Sequence, residues 1–179
     1  MEPHTRSEST APLSFTTGCC PPFDAAPWQD RELVWRDQPF VKDHVHCLFH
    51  VPLSMGAHMT HNQRLIEAAE AKPEQPLMLC DESSSWGADL YISVSRNVPG
   101  AQMTTLSGTF LTKVYEGPYR NAGKWAADMQ QYVASRHCEI EKLYLAYTTC
   151  PSCAKTYGKN YVVAFAKVRE AAQQPPAAA

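Results

Sequence analysis

The stretch from Leu106 to Arg136 constrains the fold most, because it joins a predicted strand to a predicted helix through one specific break. The segment LSGTFLTKVY predicts the strand, and the break is Glu116-Gly117-Pro118. Glycine takes backbone angles denied to other residues, and proline presets φ at a helix start while lacking the N–H that a first turn leaves unpaired. The residues that follow carry apolar side chains at helical spacing, which predicts an amphipathic helix. These side chains are Trp125, Met129, Tyr132 and Val133.

Two predicted strands, KLYLAYTT and YVVAFAKV, follow this helix and flank CPSCAKTYGKN, for which we predict a hairpin-like connection. The order strand, helix, strand, strand also appears earlier in the chain. There VKDHVHCLFHV runs to Pro52, a helical stretch continues through Ala69, and LMLCD and ADLYISV flank ESSSWG. The pattern indicates two copies of one module.

The segments TKVYEGPYRNAGKWAADMQQYV, KLYLAYTT and YVVAFAKV resemble the second module of the GyrI-like small-molecule-binding superfamily. In that superfamily a strand ends in a Gly-Pro-Tyr turn into a helix, and here the turn is Gly117-Pro118-Tyr119. The resemblance runs roughly from Val41 to Val168. The chain also resembles bacterial members of the superfamily that are often labelled only as hydrolases. The resemblance implies a cleft between the two modules that is lined by aromatic rings and carries a carboxylate.

We therefore predict an α+β protein in which two tandem strand-helix-strand-strand modules form an antiparallel sheet. The helices are expected on one side, with a ligand cleft between the modules. Module one would span residues 41–98 and module two residues 104–168, together a domain of residues 41–168. Residues 1–18 and 169–179 are predicted to be disordered tails, and residues 19–40 a proline-rich extended arm. Phe23 and Trp28 are expected to anchor the arm, and Leu33 to Trp35 to add a short edge strand.

The composition excludes several classes of protein. With 179 residues, of which 44% are hydrophobic, the chain can bury a real core. A net charge of -2 gives no electrostatic reason to expect nucleic acid. No apolar run approaches the roughly 18 residues of a membrane span, and the N-terminus lacks the apolar segment of a secretory signal. We expect a cytoplasmic monomer or homodimer with no nucleic-acid or membrane partner.

The chain supplies the aromatic and acidic residues that the implied cleft requires. Aromatic rings give contact area at low entropy cost, and a buried acid selects cations or serves as a general acid or base. Glu116 and Glu82 are the candidate catalytic carboxylates. The candidate ligand-binding residues are Trp86, Asp89, Tyr91, Tyr115, Tyr119, Trp125 and Tyr147, with Tyr144 and Tyr161 as further aromatics.

Several of these residues have a purely structural alternative. Trp125 lies near Met129 on the apolar helix face, a position that favours packing in the core over a place in the pocket. Glu116 lies near a helix N-terminus, where an exposed carboxylate is favourable without any further role. Asp89 has Asn160 at the matching place in the second copy, so only the first copy carries an acid there.

The cysteines leave three interpretations open. Cys150-Pro-Ser-Cys153 lies between two predicted strands, which argues against thioredoxin-like chemistry. A structural zinc would need two more ligands, which Cys19 and Cys20 would supply, clamping the arm onto the last hairpin. The alternatives are a redox or disulfide role, or an ordinary turn with buried thiols.

The histidines offer a weaker metal hypothesis. His44, His46 and His50 fall on one face of the first module's strand, and His58 and His61 follow on the helix. Histidines two apart on a strand lie about 7 Å apart along the backbone, whereas zinc needs ligands at about 2 Å from one point. We therefore expect a solvated or cleft-lining face.

No motif identifies a conventional enzyme, since GxSxG, Walker A, GxGxxG after a strand and HExxH are all absent from the sequence. We predict that the chain binds a small, largely apolar or aromatic molecule in the cleft and requires no cofactor. The first alternative is a hydrolase that attacks an electrophilic small molecule with carboxylate-activated water. The resemblance implies this chemistry, because related proteins hydrolyse strained cyclopropane-bearing compounds. The second alternative is a zinc-stabilised or thiol-based interaction protein.

Overall fold

The computed structural model describes residue 20, residues 22–49 and residues 51–171. The predicted tail 1–18 lies outside the described residues, as do residues 172–179 of the predicted tail 169–179. Arg169 and Glu170, which the prediction includes in that tail, belong to the last strand. The strands are β1 (Arg31–Leu48), β2 (Val51–Pro52), β3 (Met78–Ser84), β4 (Gly87–Ser93), β5 (Met103–Glu116), β6 (Cys138–Tyr147) and β7 (Tyr161–Glu170). The helices are α1 (Met55–Ala68), α2 (Ala122–Ser135) and α3 (Pro151–Tyr157), with a 3-10 turn at Tyr119–Asn121. These elements confirm the predicted α+β fold. Their order fits two strand-helix-strand-strand units, with the short helix α3 inserted between the last two strands of the second unit.

All the strand pairings are antiparallel, and the order across the sheet is β2-β1-β4-β3-β6-β7-β5. The first long strand also pairs with β5, so the pairings close into a ring. The modules therefore meet twice. They meet where β1 pairs with β5, and again where Cys80 of β3 pairs with Leu145 of β6.

The expectation of a short edge strand at Leu33 to Trp35 is wrong, because both residues lie within the 18-residue strand β1. This strand pairs with β5 from Arg31 and with β4 from Phe40. Its register shifts between Trp35 and Gln38, where Asp37 takes a left-handed φ of 50°. Such a bulge inserts one extra residue, so that residues an odd number of positions apart, one before the bulge and one after it, lie on the same face of the sheet.

One face of the sheet carries the two long helices. Trp125, Met129 and Val133 of α2 are buried against β5, β6 and β7, as their spacing predicted. We call this cluster the α2 core; it also contains Leu111, Leu145, Val162, Ala164, Ala166 and Val168. Met55 and Met59 of α1 pack on a second cluster, the α1 core, formed by Val45, Cys47, Cys80, Ala88 and Leu90. Tyr147 packs against both cores, which places them on the same side of the sheet.

The opposite face is filled by an aromatic core, which consists of Phe40, Leu79, Tyr91, Phe110, Tyr144, Ala146, Val163 and Phe165. As predicted, Phe23 and Trp28 anchor the arm there. The Phe23 ring lies 5.3 Å from the Tyr161 ring, and the Trp28 ring 5.5 Å from the Phe165 ring. The buried Thr112 hydroxyl donates a 2.6 Å hydrogen bond to the Trp28 carbonyl. The arm therefore covers the face of the sheet that lies away from α1 and α2.

The backbone at Gly117 and Pro118 confirms the predicted turn between β5 and α2. Gly117 has a φ of 135°, in the region that favours glycine, and Pro118 precedes the 3-10 turn that leads into α2. As expected of a hairpin-like unit, β6 and β7 pair directly as antiparallel neighbours. Their connection is longer than a simple turn, because Cys150-Pro-Ser-Cys153 begins α3 with Pro151 in its first turn. The left-handed Gly158 ends that helix. No helix in the described part of the chain is long and apolar enough to cross a membrane.

Candidate functional site at the module junction

The structure brings Glu82 and Tyr147 together where β3 of module one meets β6 of module two. The Tyr147 hydroxyl donates a 2.6 Å hydrogen bond to Glu82 Oε1. Burial, and secondarily this hydrogen bond, raise the pKa of Tyr147 far above its usual value. The phenol therefore stays protonated at neutral pH and holds the carboxylate in a fixed position.

Tyr119 completes what we call the junction site, made of Glu82, Tyr119 and Tyr147. Its ring lies 5.1 Å from the Tyr147 ring in an edge-to-face arrangement, and its hydroxyl donates a 3.0 Å hydrogen bond to the Thr149 carbonyl. Burial raises the pKa of Tyr119 as well. The strand-to-helix turn at Gly117 delivers this side chain to the end of β6, so the most specific sequence feature positions part of the site.

Apolar and sulfur-bearing side chains surround the junction site. Tyr147 packs on the α1 core, as do Met55, Met59 and Met78. The thiols of Cys47 and Cys80 belong to the same cluster, and burial raises the pKa of Cys80 to about 12. Methionine side chains adapt to ligands of irregular shape, so this wall suits an apolar molecule.

An exposed apolar rim lies at the β3–β4 turn. Trp86 is 61% exposed and Phe49 is 70% exposed, and their rings lie 5.3 Å apart. The Cys47 N–H donates a 2.9 Å hydrogen bond to the Trp86 carbonyl. This bond joins the rim to β1, the strand that contributes Cys47 to the α1 core. Contiguous exposed apolar surface marks many ligand-binding grooves, so we treat this pair as a candidate rim of the site.

Two predicted ligand residues lie on the other face of the sheet. Tyr91 is buried in the aromatic core, where its ring lies 5.4 Å from that of Tyr144, and burial raises the pKa of Tyr144 to about 12. Asp89 binds Lys42 Nζ at 2.9 Å and His44 Nδ1 at 2.7 Å. Burial opposes ionisation of Asp89, but these contacts outweigh it and lower its pKa. Neither residue contributes to the junction site.

Tyr115 and Trp125 lie on the helix face but serve packing. Their rings stack with centroids 5.8 Å apart, and Trp125 is buried in the α2 core. The Tyr115 hydroxyl donates to Asp128 Oδ2 at 2.8 Å. Burial and that carboxylate raise the pKa of Tyr115.

Glu116 is exposed, and its backbone pairs with Tyr161, whose ring faces the arm. Paired residues in an antiparallel sheet share a face. Glu116 therefore points away from the face that carries Glu82.

Three cysteines converge at the far end of the arm. The sulfur atoms of Cys20, Cys150 and Cys153 all lie within 4.8 Å of one another. Cys153 is buried, whereas Cys20 and Cys150 are half-buried. We call these residues the thiol cluster. Cys19, the fourth predicted ligand, lies outside the described residues.

Two of the histidines considered as metal ligands bind different carboxylates and do not converge on one point. His44 binds Asp89, whereas His58 Nδ1 lies 2.9 Å from Asp43 on the α1 side. Among the described residues, no group of three clustered metal-ligating side chains contains a histidine. His50 lies outside the described residues.

Sequence reasoning missed Asp43, which lines a cavity of about 380 Å³ beneath α1 together with His58, His61 and Asn62. Asn62 Nδ2 donates to Asp43 Oδ2 at 2.6 Å, so one carboxylate binds two side chains of α1. The spacing of His58 and Asn62, one helical turn apart, was the available signal. A second cavity, of about 280 Å³, lies beside Trp28 and Trp35 on the arm side.

The comparisons with known proteins agree with this fold. A family model described as bacterial hydrolase matches residues 11–168. The structure is similar to the C-terminal domain of EcmrR, with 10% identity and a TM-score of 0.54 over 80% of this chain and 98% of that one. An uncharacterized conserved protein and a hydrolase, both from Listeria innocua, give TM-scores of 0.60 and 0.57 at 10% identity. Each of those two matches covers 79% of this chain and 92% of the other chain. No curated protein matches the sequence.

Proposed function

The chain belongs to the bacterial hydrolase family, and from that premise we propose that it binds a small, largely apolar or aromatic molecule at the junction site. One observation carries the proposal. A carboxylate, Glu82, is held by Tyr147 between two apolar cores at the seam of the two modules. Ligand sites commonly place a few polar groups among apolar side chains, which is the combination that Glu82 and Tyr147 present here. The shared fold is consistent with the GyrI-like resemblance.

The ligand that fits this arrangement has an aromatic or aliphatic body and one polar group. The body would contact Tyr119 and the methionines of the α1 core, and Trp86 with Phe49 would cover its outer end. The polar group would donate a hydrogen bond, or present a positive charge, to Glu82. The binding function needs no cofactor, and a monomer or homodimer in the cytoplasm stays our prediction.

Hydrolysis is the second candidate, and the family membership together with the position of Glu82 favours it. For a strained electrophile such as an epoxide, the water oxygen would bond to a ring carbon while the carbon–oxygen bond breaks. Glu82 would take the proton from water and return it to the released oxygen, giving a diol. Tyr147 would act through Glu82 as a positioning residue, since its phenol stays protonated.

The thiol cluster alone supports the third alternative, a zinc-stabilised or thiol-based interaction protein. A metal there would stabilise the arm whichever function the junction site has. The cluster therefore does not select between binding and hydrolysis.

Binding is tested with N-phenyl-1-naphthylamine, a neutral aromatic dye that fluoresces when it leaves water. We expect saturable binding of one equivalent to the wild type. The Tyr119 ring and the Trp86 side chain of the rim would supply most of the contact area. Tyr119→Ala and Trp86→Ala should therefore each weaken dye binding at least about fivefold. Trp86 is exposed, so its replacement should leave the melting temperature nearly unchanged.

Glu116→Gln is the matched control, because Glu116 is an exposed carboxylate on the other face of the sheet. Its affinity should equal that of the wild type. If the dye affinity is unchanged in both Tyr119→Ala and Trp86→Ala, the dye does not bind at the junction site and the proposal is wrong. Hydrolysis is followed separately with styrene oxide, where Glu82→Gln should abolish diol formation and Glu116→Gln should retain it. Equal rates in these two variants would contradict the hydrolase candidate alone.

A further inference from the structure

We propose that Cys20, Cys150 and Cys153 form a zinc site that fastens the N-terminal arm to the connection between β6 and β7. The three sulfur atoms come from segments 130 residues apart in sequence and lie within 4.8 Å of one another. Soft thiolate ligands in this number select zinc over hard cations such as magnesium or calcium.

The spacing of the sulfurs fits the metal. Zinc binds thiolates at about 2.3 Å in a tetrahedron, which places neighbouring sulfurs ~3.8 Å apart. Sulfurs within 4.8 Å reach that separation through small side-chain rotations. Three protein ligands leave one tetrahedral position for water or a fourth ligand.

The surroundings of the cluster support ligation more than plain packing. The Cys150 N–H donates to Cys20 Sγ at 3.4 Å, the kind of contact that stabilises a thiolate in a metal site. The Tyr157 hydroxyl donates to the Cys20 carbonyl at 2.5 Å and so fixes the backbone of that ligand. Cys47 and Cys80 provide a contrast within the same chain, because they lie among apolar side chains of the α1 core and form no cluster of three thiols with the other described cysteines.

Such a site also reaches the junction site. Thr149, which precedes Cys150, accepts the hydrogen bond from Tyr119 through its carbonyl, and its hydroxyl bonds Asn160 Oδ1 at 3.1 Å. Fixing Cys150 therefore fixes the acceptor that orients Tyr119. On binding, each thiol loses its proton to solvent, so affinity for zinc should fall as the pH falls.

The first measurement is the metal content of full-length protein purified without chelator. We expect close to one equivalent of zinc by elemental analysis and native mass spectrometry. Cys20→Ser, Cys150→Ser and Cys153→Ser should each lower the content at least about fivefold. Cys138→Ser is the matched control, because Cys138 lies at the start of β6 and is not a member of the cluster, and it should retain the metal.

Cobalt gives a readout that does not depend on folding yield. Cobalt added to metal-depleted wild type should produce thiolate-to-metal charge-transfer absorption and the d–d bands of a tetrahedral ion, saturating at one equivalent. A wild type that contains no zinc and gives no such bands would overturn the proposal. A disulfide between two of the three cysteines, seen in the freshly purified protein as the loss of the mass of two hydrogen atoms, would also overturn it.

Hydrogen exchange tests the clamp itself. Removing zinc should speed exchange of the Trp28 and Gln29 amides, which bond within the arm, while amides of β5 and β7 keep their protection. Unchanged exchange in the arm would show that the metal does not fasten it. The dye-binding test of the junction site is separate, because Trp86→Ala leaves the thiol cluster intact.

Discussion

The Tyr147 hydroxyl and the Glu82 carboxylate lie 2.6 Å apart and join the two modules through their side chains. The backbone contributes little at this seam, where β3 and β6 share the single register pair Cys80 with Leu145. A hydrogen bond that fixes a carboxylate in an apolar seam therefore serves both the stability of the junction and the chemistry proposed for it.

A double-mutant cycle on this pair should reveal its strength. Hydrogen bonds to charged groups contribute about 1.5–3 kcal/mol when buried, and this one is partly exposed. We expect Tyr147→Phe and Glu82→Gln each to lower the free energy of unfolding by about 1–2 kcal/mol. Urea unfolding at pH 7 should show that the double variant loses about as much as either single variant. Strictly additive losses would mean that the two groups do not interact in solution.

Gly117→Ala should destabilise the protein by roughly 1–3 kcal/mol, because Gly117 has a φ of 135°. An added Cβ would also lie 3.1 Å from Asn121 Nδ2 and 3.8 Å from the Trp125 ring. Gly123→Ala is the control, since that glycine lies in α2 with open space around it. It should raise stability by up to about 1 kcal/mol. Thermal and urea unfolding of both variants give the comparison, and losses of equal size would contradict the turn geometry.

Thr112→Val should loosen the arm. The substitution keeps the shape of a fully buried side chain but removes the 2.6 Å hydrogen bond to the Trp28 carbonyl. We expect a loss of about 1–2 kcal/mol in urea unfolding and faster exchange of the Trp28 amide. The exposed Thr105→Val, on the same strand, should change neither quantity. An unchanged Trp28 exchange rate in Thr112→Val would show that the aromatic contacts alone hold the arm.

Asp43→Asn should show a pH-dependent loss of stability. Burial opposes ionisation of Asp43, but hydrogen bonds from His58, Asn62 and the His44 N–H outweigh it and hold its pKa below the usual value. Because the folded pKa is lowered, the wild type gains stability from the carboxylate above about pH 3.9, the usual pKa of an aspartate, and loses that gain as the pH falls through the folded value.

The expected deficit of Asp43→Asn is therefore about 1–2 kcal/mol at pH 7 and shrinks below about pH 4. Urea unfolding of both proteins between pH 3 and pH 7 measures it. A deficit that stays constant across this range would show that the charge of Asp43 contributes nothing to the fold.

The bulge at Asp37 shows why part of the fold escaped sequence reasoning. The alternation of apolar and polar residues predicted a strand beginning at Val41. Leu33, Trp35 and Phe40 pack in the same aromatic core, but the extra residue of the bulge places Leu33 and Trp35 at odd positions and Phe40 at an even one, which breaks the alternation. The bulge is held by Ser107, whose hydroxyl accepts the Asp37 N–H at 2.8 Å and donates to Asp37 Oδ1 at 2.9 Å. Both bonds span 70 residues, so no local pattern could predict them.

The sequence by itself determined the features that depend on neighbouring residues. Among these are the order of the two modules, the Gly117 turn and the buried face of α2, since glycine conformation and helical periodicity act within a few residues. The arrangement of the predicted site depended on the tertiary structure. Alternation groups residues within one strand, but only the closing of the sheet brought Glu82 to Tyr147, placed Tyr91 on the opposite face, and carried Cys20 to Cys150. Such contacts depend on strand register and closure across the whole chain, which are set by packing between distant segments.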